Sequence, residues 1–184
     1  MKRKAKVIST VLLLLIVVVT ATITFVLAGG NMRIGRDIDR FARMVEQGEF
    51  DDLVLRIYYM DLSVRTPAPV SVGQLINHSS VDIGGSVTLN GDALQEHAEA
   101  LRRVNRGLLN ATSGSRRPDA RIYYIFETKS GDKIFDVVLL AVGDDDILIN
   151  GRLYKRHHVF FEIILPFLPE DIASSLSAFM VFTE

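Results

Sequence analysis

Two overlapping motifs in the last third of the chain resemble the catalytic motifs of penicillin-recognising enzymes. Ser130 and Lys133 have the Ser-x-x-Lys spacing in which the serine is a nucleophile. Lys129, Ser130 and Gly131 match the Lys-Ser/Thr-Gly motif of the same enzymes. In those enzymes the two motifs are separate and the nucleophile opens a helix, whereas here both share Ser130 in a predicted hairpin turn. We therefore interpret this segment as a turn.

Histidines and aspartates suggest metal binding at two further points, but their spacing argues against it. Side chains of adjacent strand residues point to opposite faces, so His157 and His158 are not expected to share a metal, and neither His78 nor His97 has ligand spacing to them. The run Asp144–Asp146 lacks the alternating ligands and closing glutamate of an EF-hand. We interpret these groups as a surface cluster and a solvated turn, and we predict no metal and no cofactor.

Carboxylates are the remaining candidates for catalysis. The chain contains no cysteine, which excludes thiolate nucleophiles, disulfides and Cys-ligated metals. Glu127, Asp136 and Glu162 could supply a general acid and a general base if two of them lay in one cleft. A cell-envelope hydrolase using these carboxylates is our alternative hypothesis for the function.

A repeated tetrapeptide supplies the candidate binding residues. Arg-Ile-Tyr-Tyr occurs at 56–59 and again at 121–124, each time in a predicted strand. Either both strands simply need one apolar and one amphipathic row, or they lie side by side and present a surface of the residue types enriched at binding hot spots. On the second hypothesis, replacing Arg121 and Tyr123 together should abolish partner binding without unfolding the domain. By strand parity the candidate contacts are Arg56, Tyr58, Arg121 and Tyr123.

The elements that position these residues follow from hydrophobic periodicity and turn residues. Apolar residues at helical spacing predict an amphipathic helix ended by Gly48, a second helix at 92–106 with a capping box at Asp92 and Gln95, and a C-terminal helix opening at Pro169. Strands are predicted at 53–60, 81–90 with a candidate bulge at 84–85, 120–128, 133–142, 147–149 and 152–154. This order predicts an α+β fold, a mainly antiparallel sheet with helices packed on one face.

The N-terminal segment predicts a membrane anchor. Val7–Ala28 contains 22 consecutive residues without a charge, enough to cross a bilayer as a helix, and four basic residues precede it. The positive-inside bias then leaves the N-terminus in the cytoplasm. The predicted organisation is a basic tail at 1–6, a transmembrane helix at 7–28 ended by Gly29 and Gly30, a membrane-proximal amphipathic helix at 29–50 and an extracytoplasmic domain at 51–184.

Cleavage of the same segment as a signal peptide is the alternative. Val26-Leu27-Ala28 has the small-residue pattern that signal peptidase recognises, and cleavage near Ala28 would make the domain a secreted protein. The apolar core is longer than the roughly 7 to 15 residues of a usual signal peptide, which favours retention. Gly30 stands where a lipoprotein box needs cysteine, so lipidation there is excluded.

Charge further restricts the partners. Without the four basic residues of the tail, the 21 lysines and arginines fall to 17 against 22 acidic residues, a net charge of about −5. Nucleic-acid-binding domains are normally basic, so we do not expect a nucleic-acid partner. The predicted partners are the lipid bilayer, through the N-terminal helix, and a membrane or cell-wall protein.

Several segments together resemble a family of uncharacterised membrane-anchored exported proteins of Gram-positive bacteria. These segments are LRIYYMD, TPAPVSVGQLI, DARIYYIFETKSG, INGRLY and VFFEIILPFLPED, spread over roughly the whole exported domain. The resemblance implies a single N-terminal anchor and an extracytoplasmic location, and it supplies no catalytic residue. Residues and resemblance together predict a non-enzymatic binding or accessory module of the cell envelope.

Overall fold

The structure is a computed structural model that describes residues 2–62, 64, 66–78, 84–112, 119–141 and 145–181. Within its helices, the side chains of residues 2–14, 21–29, 31, 78 and 179–181 are not described. The chain divides into two compact units, residues 1–34 and 35–184. The second unit is an α+β domain with an antiparallel sheet, as the sequence predicts.

Helices alternate with strands in the first half of the chain, and strands dominate the second half. The helices are α1 (Lys2–Gln47), α2 (Val72–His78), α3 (Gly91–Gln95), α4 (Ala98–Leu101), α5 (Val159–Glu162) and α6 (Glu170–Val181). The strands are β1 (Leu53–Met60), β2 (Gly84–Asn90), β3 (Ala120–Thr128), β4 (Lys133–Leu140), β5 (Asp146–Ile149) and β6 (Arg152–Lys155). Short 3-10 turns lie at Phe50–Asp52, Arg106–Leu108 and Leu165–Phe167.

The six strands form one antiparallel sheet in the order β2-β1-β3-β4-β5-β6. The last four strands are a meander of consecutive hairpins, as the turn residues predict. Asn150 and Gly151 connect β5 to β6 with φ angles of 47° and 74°, the left-handed conformation that a two-residue hairpin turn needs at both positions. The long connection between β2 and β3 instead returns the chain to the far side of β1.

One face of the sheet, which we call the core face, is buried across β3, β4, β5 and most of β1, and half-buried at the edge strand β2. Its rows include Leu55 and Ile57 of β1 opposite Phe126 and Tyr124 of β3, all with no exposed surface. Phe41 of α1 packs on this face, with its ring 4.6 Å from that of Phe126 and 5.1 Å from that of Phe135. The Tyr124 hydroxyl donates a 2.8 Å hydrogen bond to the Phe160 carbonyl, which fixes α5 on the same face.

On the opposite face, which we call the outer face, the described residues form a cover at one end. Val70 and Leu75, just before and within α2, pack against Met60, Val138 and Leu140 of the sheet. The prediction that helices lie on one face is therefore wrong for α2. The physical reason is that the two ends of β1 and β4 differ in polarity on the outer face. At one end Met60 and Leu140 are apolar and need to be covered, whereas the opposite end is polar.

Three further expectations differ from the structure. The helix predicted at 92–106 is divided into α3 and α4, and Asn90 rather than Asp92 precedes it, without a side-chain cap. The ring of His97 lies edge-on to Phe167 at 4.8 Å, a tertiary contact at the division that local periodicity does not contain. Pairing with β1 is regular at residues 84 and 85, so the bulge is absent there, and residues 81–83 lie outside the described residues.

Helix α1 also continues through Gly29 and Gly30, where the sequence predicts a break. A glycine disfavours a helix by only about 1 kcal/mol relative to alanine, which favourable neighbours can offset. The predicted end of this helix at Gly48 is confirmed, because α1 ends at Gln47 and Gly48 has a φ of 73°.

The predicted transmembrane segment at 7–28 falls within α1, but most of its side chains lie outside the described residues. Among the residues that are described, no helix combines the length and the apolar character needed to cross a membrane.

Replacing Phe41 by alanine should lower the free energy of unfolding by about 3 to 5 kcal/mol, since it leaves a cavity against two phenylalanine rings. All 5 tyrosines lie in sheet strands, so tyrosine fluorescence during urea unfolding of the full chain in detergent reports on this domain. Replacing the exposed neighbour Arg40 by alanine should change the free energy of unfolding by less than about 0.5 kcal/mol. Equal effects of the two changes would contradict the packing described.

Candidate functional site

The two copies of the repeated tetrapeptide lie next to each other, because β1 and β3 are paired. Their antiparallel register sets Tyr58 directly opposite Tyr123 on the outer face. The two rings are stacked, with centroids 6.0 Å apart and planes inclined by 20°. Both side chains are half-buried at the border of the apolar cluster under α2. They form the centre of a candidate site, which we call the Tyr58–Tyr123 site.

Charged residues flank this aromatic pair. Arg56 Nε donates a 2.8 Å bond to the Glu127 carboxylate on the neighbouring strand, and Lys133 Nζ lies 2.7 Å from the Asp136 carboxylate. Ile125 is opposite Asp136, so Asp136 faces the same side as Tyr123 and Glu127. The two carboxylates are only 17% and 13% exposed, whereas the Arg56 side chain is 46% exposed. Arg56 therefore offers a charged group to a partner.

The electrostatic environment keeps Tyr123 neutral. Burial raises the pKa of its phenol well above the usual value, and the nearby carboxylates of Asp136 and Glu127 raise it further. The pKa of Arg56 is also raised, chiefly because its guanidinium is hydrogen-bonded to Glu127. The site therefore presents a protonated phenol and a permanent cation, groups that bind rather than exchange protons at neutral pH.

The surface around the site is mixed in polarity. Thr88 and Ser86 of β2 stand beside Arg56 and Tyr58 and are exposed. On the other side, half-buried Leu148 and Leu153 continue the outer face across β5 and β6. An aromatic pair between a hydroxyl row and an apolar row can pack on a partner and hydrogen-bond to it.

Arg121, the fourth predicted contact, occupies a different environment. It is 6% exposed, at an irregularity in the pairing of β3 with β4. Its guanidinium donates to the Asp119 carboxylate and the Val64 carbonyl, both at 2.8 Å, and to the Thr66 hydroxyl at 3.2 Å. Arg121 therefore anchors the loop after β1 instead of facing solvent. We therefore expect replacement of Arg121 to destabilise the fold, so a loss of binding in such a variant would not by itself show that Arg121 contacts a partner.

The predicted catalytic carboxylates are not brought together as a set. Glu127 and Asp136 share the outer face, but Glu162 belongs to α5, on the core-face side. Glu162 forms an ion pair with Arg103 there. Each of the two outer-face carboxylates is paired with a cation, Glu127 with Arg56 and Asp136 with Lys133.

Residues of the Ser-x-x-Lys and Lys-Ser-Gly motifs form local hydrogen bonds. Ser130 lies in the turn between β3 and β4, where its hydroxyl bonds to Thr128 and Asp132, while Lys133 reaches Asp136 instead. This confirms the interpretation as a turn.

His157 and His158 follow the end of β6, and their rings stack with centroids 4.4 Å apart. The argument from opposite strand faces was therefore wrong for this pair. Asp144 lies outside the described residues, and its neighbour Asp145 pairs with Arg156. In the described part of the chain, no group of three or more His, Asp or Glu residues is placed to hold a metal ion.

Sequence reasoning missed one pocket of about 220 Å³ at the start of β1. It is lined by Asp51, Leu53, Val54, Asn90, Gly91, Asp92 and Lys129. Gly91 is required there, because a Cβ at this position would lie 2.4 Å from the Phe50 carbonyl oxygen. The lining comes from three separate segments, and no spacing in the sequence connects them.

The fold and the site thus define an α+β protein whose antiparallel sheet carries a partly uncovered aromatic and charged face. No known protein family, curated protein or solved structure matches this chain. The resemblance described from the sequence therefore stays a prediction.

Replacing Asp136 by asparagine should lower the pKa of Tyr123, because a nearby negative charge disfavours the phenolate. The pKa should stay above the ordinary tyrosine value of about 10, since burial is the larger cause. A pH titration of the tyrosine Cζ resonances by NMR measures it, with Asp51→Asn as a control remote from the ring. An unchanged Tyr123 titration in Asp136→Asn would show that the carboxylate does not act on the phenol.

Arg121→Ala should lower the free energy of unfolding by about 2 to 3 kcal/mol, because it leaves the partly buried Asp119 carboxylate without its cation. Arg56→Ala, which also removes an arginine from an ion pair on this sheet, should lower it by no more than about 1 kcal/mol, since Arg56 is half-exposed. Urea unfolding of the two variants measures both losses of unfolding free energy. Similar losses would contradict the anchoring role of Arg121.

Proposed function

We propose that this chain is a membrane-anchored extracytoplasmic protein whose α+β domain is a non-enzymatic binding or accessory module of the cell envelope. Its Tyr58–Tyr123 site contacts a protein of the membrane or cell wall. The observation that carries this proposal is the stacked tyrosine pair on a sheet face that α2 leaves partly uncovered.

The location is supported by the sequence. The uncharged segment Val7–Ala28 and the four basic residues before it favour a retained anchor with the N-terminus in the cytoplasm. The negative charge of the remaining chain and the absence of cysteine are compatible with a disulfide-free exported domain stabilised by its core. Secretion after cleavage near Ala28 would leave the binding domain the same.

The binding role is supported by residue type and exposure. Tyrosine and arginine are enriched at the energetic centres of protein interfaces, since they combine apolar area with hydrogen-bond donors. Tyr58 and Tyr123 offer two ring surfaces, and Arg56 offers donors that remain half-exposed in its pair with Glu127. Rigid strands hold all of these groups, so few conformations are lost on binding.

Hydrolysis of an envelope polymer is the second candidate, and one observation favours it. Glu127 and Asp136 face the same side of the sheet, and both act electrostatically on the Tyr123 phenol. If the full chain releases soluble fragments from purified cell wall, and Glu127→Gln and Asp136→Asn each abolish the release, the function is catalysis and not binding.

The binding proposal predicts a specific neighbour at Tyr58. A photoreactive benzoyl-phenylalanine at position 58 of the full chain, irradiated in intact cells, should form an adduct with one macromolecule. The same residue at Glu99, an exposed position on α4, should not form it. Adding Arg56→Asp should lower the yield at position 58 by about fivefold or more, since interface arginines often contribute over 1 kcal/mol. Arg102→Asp is the matched control on another surface.

Two results would contradict the binding proposal. One is the absence of any adduct at position 58 in a chain whose amount and urea stability equal those of the wild type. The other is an adduct that forms equally from positions 58 and 99, which would indicate random collision.

A further inference from the structure

The two edge strands of the sheet differ in how far they are protected from pairing with another strand. The edge strand β6 is covered, because Thr112 donates its backbone N–H to the Leu153 carbonyl and Lys155 donates to the Asn110 carbonyl. It also carries Arg152 and Lys155, charges that discourage pairing with another strand. At the other edge, β2 pairs with β1 alone, and within the described residues no backbone hydrogen bond reaches its outer side.

Strand β2 also lacks the features that usually protect an exposed edge. Its sequence, Gly84–Asn90, contains no charge and no proline, and all seven residues pair in regular register with β1, without a bulge. Very short strands, charged side chains, prolines and bulges are common means by which edges avoid further pairing. A regular, uncharged edge of this length is ready to accept another strand.

The strand is complementary to itself. Antiparallel pairing of two copies about a twofold axis at Val87 overlaps all seven residues and keeps each face of the sheet continuous. It sets Val87 opposite Val87 of the second copy and Ser86 opposite Thr88, an apolar pair and a hydroxyl pair. It also sets Leu89 opposite Gly85, where the Tyr59 ring passes so closely that a Cβ would lie 2.2 Å from its hydroxyl oxygen. Leu89 of the second copy therefore meets the Tyr59 ring, which occupies the space of the missing side chain.

We propose that two copies of this chain associate through their β2 edges, antiparallel and centred on Val87, into a continuous twelve-stranded sheet. Val87 and Leu89, which are half-buried in one copy, gain neighbouring side chains from the second copy on the core face. The two outer faces point the same way, and the two β1 strands are separated by three strand spacings, about 14 Å. The dimer therefore presents two Tyr58–Tyr123 sites side by side. Its formation needs neither a membrane nor a partner at that site.

A single introduced cysteine tests the register, since the natural chain has no cysteine. Opposed residues of antiparallel strands have Cα atoms about 4.5 to 5.5 Å apart, within the range that a disulfide spans. Val87→Cys in the full chain in detergent micelles should form a disulfide-linked dimer under mild oxidation. Glu99→Cys, exposed on α4, should stay monomeric on denaturing gels.

A charge exchange at two exposed positions tests the association without the cysteine. Ser86→Lys with Thr88→Lys sets lysine opposite lysine twice across the axis, whereas Ser86→Glu with Thr88→Lys sets glutamate opposite lysine. Both variants carry the same lysine beside Arg56, and they differ from each other only at position 86. By sedimentation of the full chain, the lysine pair should weaken dimerisation about tenfold or more, and the opposite-charge pair should preserve it.

Wild-type protein that sediments as a monomer at micromolar concentration would overturn the proposal. So would dimers of equal strength in the two charge variants, which would indicate association through another part of the chain, such as the N-terminal segment. Failure of Val87→Cys to crosslink in a protein that sediments as a dimer would overturn the register and, with it, the interface.

Discussion

The pairing of β1 with β3 is the constraint on which the rest of the structure depends. These strands are neighbours in the sheet although the chain between them contains three helices and β2. Their register sets Leu55 opposite Phe126 on the core face, where α1 covers them, and Tyr58 opposite Tyr123 on the outer face. A shift by one residue would move every apolar side chain to the wrong face, so burial of the core face also fixes the candidate site.

The two copies of the tetrapeptide show how one local sequence takes two roles. Arg56 lies in a regular part of the ladder at the polar end of the outer face and remains half-exposed beside Glu127. Arg121 lies at an irregularity under the loop after β1, where a carbonyl, a hydroxyl and a carboxylate surround its guanidinium. A buried cation needs such partners, and the long connection that carries α2 supplies two of them. The same segment determines how much of the outer face stays open.

The proposed binding site and the proposed dimer edge use different properties of one sheet. The site depends on side chains that project from the outer face, whereas the edge depends on the backbone of β2. Both follow from the position of β1, which has the aromatic pair on one side and β2 on the other. Association at the edge would bring two sites onto one surface and so raise the avidity for a repeated or extended partner.

The sequence by itself determined the local structure: the strand at 53–60, the meander with its turn at Asn150 and Gly151, and the end of α1 at Gly48, because these depend on neighbours within a few residues. It also predicted that Arg56 and Tyr58 share one face of their strand and that Arg121 and Tyr123 share one face of theirs, since alternation along a strand is a local property. Only the tertiary structure decided that Arg121 is buried, that the helix predicted at 92–106 divides near His97, that β1 pairs with β3, and that α2 covers one end of the outer face. Each of these depends on contacts between residues far apart in the chain, such as His97 with Phe167, for which local periodicity carries no signal.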